Sequence, residues 1–216
     1  MANHQPLNFE KNVLRALNDP QLIKNIKAAM GTLVSKRKTI FVDETETEQL
    51  RTLGNAIKRK ALSKLPQLLE QLERKCTQNG IKVHWAETIS EANHQVLDIM
   101  RSHGATRLVK GKSMVSEEME LNAYLQKNGI EALETDLGEF IIQLNNETPA
   151  HIIVPAIHKN KDQISKIFHD NIPDAPYTED VAELTAIARK TLRQKFYQAD
   201  VGLSGVNFAV AETGTL

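Results

Sequence analysis

Lys110-Gly111-Lys112-Ser113 runs into three acidic residues, Glu117, Glu118 and Glu120. Glycine, lysine and serine in that order are the end of a loop that wraps nucleotide phosphates. Such a loop also needs a first glycine separated from its second by four residues. That position is Thr106, and Gly104 falls two residues too early. The nucleotide cradle therefore fails on spacing. What remains is a turn from a strand into a helix, where free amides and the helix dipole can hold an anion. The three glutamates already complement that dipole, so spacing alone favours an ordinary turn with a charged cap.

Other residues sit where chemistry is done in layered α/β proteins, just past strand ends. Glu134-Thr-Asp136 follows one apolar run, and two carboxylates so spaced can flank a ligand or cap the turn into Leu137. His158 follows a second run, His151-Ile-Ile-Val-Pro155. Glu212 stands at the turn Glu212-Thr-Gly214, where a carboxylate can act as base or nucleophile or simply satisfy turn amides. Gly202-Leu-Ser-Gly205 is half of a dinucleotide fingerprint, but position 200 is Asp200 and the pair precedes a strand pattern, so a loop is expected. The seven histidines lack paired spacing and none lies beside a cysteine, so no metal site is expected. His84 and His151 read as partly buried strand residues.

These residues need elements to hold them. Helical periodicity covers residues 9–35 with a break at Asp19-Pro20, and 47–78 with Pro66 inside, where a kink or restart is expected. The rhythm then changes. Strands are expected at 81–86, 106–110, 130–134, 151–155 and 206–212. Helices are expected from the capping box Thr88-Ile-Ser-Glu91 to about 103, and at 114–128, 137–144, 161–169 and 178–197. This alternation predicts an α/β fold, a layered sheet with helices on both faces, over residues 79–216 and preceded by a helical segment, 1–78. The last residues, from Phe208 through the turn at Thr213-Gly214 to Leu216, read as a hairpin lacking its second arm. The domain is thus expected to be incomplete at its C-terminus.

Composition narrows the function. The 216 residues carry 27 basic and 27 acidic side chains. That balance argues against a nucleic-acid partner, which needs an excess of Lys and Arg. Residues 1–10 show no basic start or apolar run of a signal peptide, and no apolar stretch approaches a membrane span. A cytoplasmic protein is expected. Cys76 is the one cysteine, on an apolar helical stripe, and reads as a small buried hydrophobe.

Three long stretches, KGKSMVSEEMELNAYLQKNGIEALETDLGEFIIQL, HIIVPAIHK and ADVGLSGVNFAVAETGTL, occur in an order that resembles the LUD domain of the lactate utilization proteins. The nearest likeness is to their iron–sulfur subunit, and GIKVHWAETISEA extends it to roughly residues 9–216. The resemblance implies a fold similar to the ribose-5-phosphate isomerase and CoA-transferase class. It also implies work with two other lactate utilization subunits in oxidising L-lactate to pyruvate, and two [4Fe–4S] clusters on cysteine runs in a C-terminal ferredoxin-like region. This sequence departs from the pattern there: a four-iron cluster needs four thiolates, so no cofactor is expected on these residues. By family motif and position, Lys112, Ser113, Glu118, Asn122, Glu134, Asp136, His158 and Glu212 would line one cleft. Lys112 would attract a small carboxylate or phosphate, and Glu212 would be the acid or base. Capping and packing compete with that reading for Glu118 and Asn122. The function implied is a scaffold and small-anion site for electron transfer. The alternative is a stand-alone transferase- or isomerase-like enzyme acting on a small acyl or phosphorylated anion through Glu212, and an inert assembly platform is a third reading.

Overall fold

The computed structural model describes residues 8–216. Met1–Leu7, most of the stretch read for a signal peptide, lies outside them. In chain order the elements are α1 (Phe9–Leu17), α2 (Pro20–Ile40), α3 (Glu44–Ser63), α4 (Leu65–Gln78), α5 (Ile89–Ser102), β1 (Arg107–Lys110), α6 (Met114–Glu118), α7 (Leu121–Lys127), β2 (Glu131–Glu134), α8 (Leu137–Leu144), α9 (Lys161–Asn171), α10 (Val181–Gln198) and β3 (Val201–Leu203). The chain divides into two compact units. The first holds the described chain up to Ala29 together with Ala86–Gly205. The second holds Met30–Trp85 with Val206–Leu216.

The first unit is built around a parallel sheet of order β2-β1-β3. Parallel neighbours need long crossovers: α6 and α7 link β1 to β2, and α8, α9 and α10 separate β2 from β3. Strand alternation puts Leu108 and Lys110 on one face and Val109 on the other. On the first face Leu108 and Ala132 pack with Leu97 and Met100 of α5 and Leu121 and Leu125 of α7. On the opposite face Leu133 packs against Phe140 and Ile141 of α8, Ile167 and Phe168 of α9, and Leu184 and Ala188 of α10. The architecture is the layered α/β arrangement expected, with helices on both faces. Burying each large apolar side chain contributes roughly 1.5–3 kcal/mol.

Local chemistry explains the boundaries. Thr88 and Glu91 form the reciprocal capping box that starts α5. Gly104 (φ 61°) and Gly129 (φ 79°) end α5 and α7 in the left-handed conformation, each followed by an amide bonded back to the helix, Ala105 to Met100 O at 2.9 Å and Ile130 to Leu125 O at 3.0 Å. β1 and β2 start just beyond these stops. The 114–128 pattern is two helices, because Glu120 takes a left-handed conformation (φ 50°) between them.

The strand expectations fail in three places. Residues 81–86 form no strand, and His84 is exposed. Residues 151–155 fold as bends and a turn, in which Nδ1 of His151 accepts hydrogen bonds from the amides of Ile153 and Val154. Residues 206–212 contribute only the isolated bridge Val210–Thr215 around the expected turn. The strand instead falls on Val201–Leu203, read above as a loop. Asp200 fixes it there: its carboxylate accepts from the amides of Thr106 and Arg107, both at 2.9 Å, and pairs with the Arg107 guanidinium.

In the second unit α3 ends and α4 begins at Lys64, so Pro66 marks a helix restart, the second residue of α4. The apolar stripe along these helices is buried only near its end. Leu50, Leu53 and Ile57 stay exposed, whereas Cys76 is buried with Sγ 3.7 Å from Gly214 O. Among the described residues no helix is long and apolar enough to cross a membrane.

Candidate functional site

The C-terminal ends of β1 and β2 carry Lys110 and Glu134, which are partners in register. Both face the α5–α7 side and both are buried. An ammonium group has three donors, and Lys110 uses all three. Its Nζ lies 3.0 Å from Ser116 Oγ, 2.5 Å from Glu117 Oε1 and 2.6 Å from Glu134 Oε1. Burial works against its charge, but the two carboxylates outweigh it and raise its pKa. Asn122 of α7 donates to Glu134 Oε1 at 2.6 Å. The turn Gly111–Ser113 makes this possible: Ser113 caps α6 and presents Ser116 and Glu117 back to the strand end.

Glu139 enters from α8. Asp136 caps that helix by accepting from the amides of Gly138 and Glu139. The cap places the Glu139 carboxyl beside the others, with one oxygen each of Glu117, Glu134 and Glu139 within 4.8 Å of one another. Burial, then the neighbouring charge of Glu134, pushes Glu139 up to about 7. Burial also raises Glu134, against the pull of Lys110. Glu117 and Glu139 line a cavity of about 250 Å³ together with Met114, Pro149, Ala150, His151 and Ile152. A carboxyl that titrates near neutrality in a small cavity can transfer a proton or hold a polar ligand.

The residues singled out in the sequence are distributed as follows. Asn122 and Glu134 are hydrogen-bonded within this cluster. Lys112 and Asp136 lie at its border, paired at 3.5 Å, and Lys112 also donates to Ile153 O at 2.7 Å. Ser113 is the cap of α6. Glu118 is exposed and stands outside the cluster. His158 belongs to a separate group: its Nε2 is 3.0 Å from Glu147 Oε2, and Lys159 Nζ is 2.5 Å from Glu147 Oε1. Burial would raise Glu147, but its hydrogen bonds from Lys159, His158 and Asn145 lower it overall. Asn25 of α2 donates to His158 O at 2.7 Å. Glu212 is exposed and belongs to the second unit.

The sequence alone assigned neither Lys110, Glu117 and Glu139 to a site nor a turn role to His151. Two signals were available. Lys110 shares the inward face of its strand with Leu108, and Glu139 is the one charged residue in a mostly apolar helix, LGEFIIQL.

This chain belongs to the LUD domain family, whose sequence profile matches residues 69–216. Among curated relatives, lactate utilization protein B of Bacillus subtilis (strain 168) is 36% identical over 209 residues, covering 96% of this chain and 43% of the relative. Its namesake in Bacillus velezensis is 37% identical, covering 96% and 44%. A protein named "uncharacterized electron transport protein YkgF" of Escherichia coli (strain K12) is 36% identical with the same 96% and 44% coverage. The chain thus spans less than half the length of these relatives. No solved structure matches it.

Proposed function

We propose that this chain is the LUD part of an iron–sulfur subunit that works with two other lactate utilization subunits in oxidising L-lactate to pyruvate. The observation that carries this reading is the 36% identity to lactate utilization protein B over nearly the whole chain. The name of the Escherichia coli relative, an electron transport protein, points the same way.

The clusters themselves find no ligands among these residues. A [4Fe–4S] cluster takes four thiolates, and the chain has Cys76 alone, buried against Gly214 O. In this reading the two clusters sit on cysteines outside the 216 residues, and the LUD part supplies a scaffold and a small-ligand cavity. The charge of that cavity limits what enters. Lys110 and Lys112 face Glu117, Glu134, Asp136 and Glu139. A bare carboxylate drawn by Lys112 meets an excess of negative charge. It enters on better terms when Glu139 carries a proton or when a cation offsets the cluster.

The test is genetic and chemical together. Deleting the gene in its own host should stop growth on L-lactate and L-lactate-dependent pyruvate formation, with both restored by the intact gene. Unchanged lactate consumption after deletion would refute the reading. The intact gene product, purified without oxygen, should carry about eight irons, two four-iron clusters.

A further inference from the structure

Glu117, Glu134 and Glu139 come from three elements, α6, β2 and α8, and converge with one oxygen of each within 4.8 Å of the others. Glu134 and Glu139 are only 4% and 7% exposed. Oε2 of each is buried and, with both carboxyls ionised, receives no hydrogen bond; only a proton on one of the two, donated to the other, would partner them. Buried polar atoms are almost always partnered, so these two oxygens need an account. Lys110 cannot supply it, because its three donors are spent on Ser116, Glu117 and Glu134. It also brings one positive charge to three carboxylates. The two oxygens are left beside a cavity that Glu117 and Glu139 line.

We propose that Glu117, Glu134 and Glu139 together bind one divalent cation of the hard, oxygen-seeking class, such as Mg²⁺ or Mn²⁺. Oxygens held roughly 2.0–2.4 Å from one ion lie no more than about 4.8 Å apart, and the three oxygens here fall within that limit. An all-carboxylate set favours magnesium, manganese or calcium over zinc or copper. His151 is no fourth ligand. Its Nδ1 accepts the amides of Ile153 and Val154 at 3.0 and 3.2 Å, which leaves the ring proton on Nε2. His151 also lines the cavity. The cation's remaining positions open toward that cavity, which has room for waters or a small oxygen ligand. A cation there reverses the repulsion that a carboxylate would otherwise meet. The inference rests on this geometry alone and stands whether or not the substrate is lactate.

Mn²⁺ is the probe, titrated into the 216-residue chain while the electron paramagnetic resonance signal of the free ion is followed. One Mn²⁺ per chain is expected, displaced by Mg²⁺. Glu139→Gln and Glu117→Gln should each weaken binding by about 10- to 100-fold, the scale on which metal sites respond to losing a supporting group. Glu70→Gln, an exposed change on α4, should bind as the parent does. Circular dichroism checks folding. Should Glu139→Gln fail to fold, the partly exposed Glu117 carries the comparison. A folded parent that leaves Mn²⁺ free, or equal binding by the parent and the folded carboxylate variants, overturns the proposal.

Discussion

Replacing Lys110 by Met tests the electrostatics of the strand end. Methionine fills similar space but leaves Glu117 and Glu134 without their ammonium partner. Glu117 is one-third exposed and can rehydrate, whereas the Glu134 side chain is 5% exposed and cannot. Glu134 then escapes an unpaired buried charge by taking a proton. A carboxyl of ordinary pKa 4.5 costs about 1.4 kcal/mol per pH unit to keep protonated above that value, so at most about 3.4 kcal/mol at pH 7, part of which the already raised Glu134 of the parent bears. That upper limit falls within the roughly 3–5 kcal/mol typical of breaking a buried pair. The sign follows from the raised folded pKa of an acid: the loss is full near neutrality and fades as pH falls toward 4.5. At pH 5 the same arithmetic leaves about 0.7 kcal/mol. Urea unfolding followed by far-UV circular dichroism, with hydrogen exchange at the Leu108–Lys110 amides, reads this unit. Trp85 belongs to the other unit and does not report on it. Adding Glu134→Gln to Lys110→Met removes both charges and should recover at least half of the loss at pH 7. A loss under about 1 kcal/mol at pH 7, with no gain in the double variant, would refute the reasoning.

Three further outcomes follow from local geometry. Gly214→Ala should destabilise the second unit by roughly 2–3 kcal/mol or more, because φ is 71° and the new Cβ would lie 2.8 Å from backbone atoms of Lys75 and Cys76; Trp85 fluorescence during urea unfolding measures it. Asp200 is held down to about 2 by the Thr106 amide, the Arg107 side chain and the Arg107 amide. Its contribution to stability should therefore be complete above the ordinary value of 3.8 and disappear as pH falls from there toward 2, a slope that Asp200→Asn abolishes in acid titrations. Thr88→Ala removes half of the capping box of α5 and should cost about 1 kcal/mol in chemical unfolding.

The helices were legible because their ends carry their own chemistry. Thr88 with Glu91, Pro66, and Asn128 before Gly129 mark boundaries that need no distant partner. Strands are different, since alternation does not say whether a neighbour exists to pair with. Ile81-Lys-Val-His-Trp alternates without joining a sheet, whereas Val201-Gly-Leu, with a glycine at its centre, becomes a strand because Asp200 pins it beside β1. The site shows the same division. Glu134 and Asp136 were legible from their place at a strand end, and Asn122 only from the family motif. Lys110 and Glu139 were not, because each sits in an apolar run whose charged member makes sense only once three elements converge on it. Glu212 and His158 looked similar to these in sequence, yet the fold places His158 with Glu147 and leaves Glu212 exposed.

The central claim is that the cavity lined by Glu117 and Glu139, beside the Lys110–Glu134 pair, is where this LUD domain does its work. Glu139→Gln keeps shape and removes one of the two carboxylates that line it. Introduced into the intact gene product and assayed with its partner subunits, it should lower L-lactate-dependent pyruvate formation at least about tenfold, with iron content unchanged. Pyruvate formation at the parent rate from a folded, iron-replete Glu139→Gln protein would contradict the account.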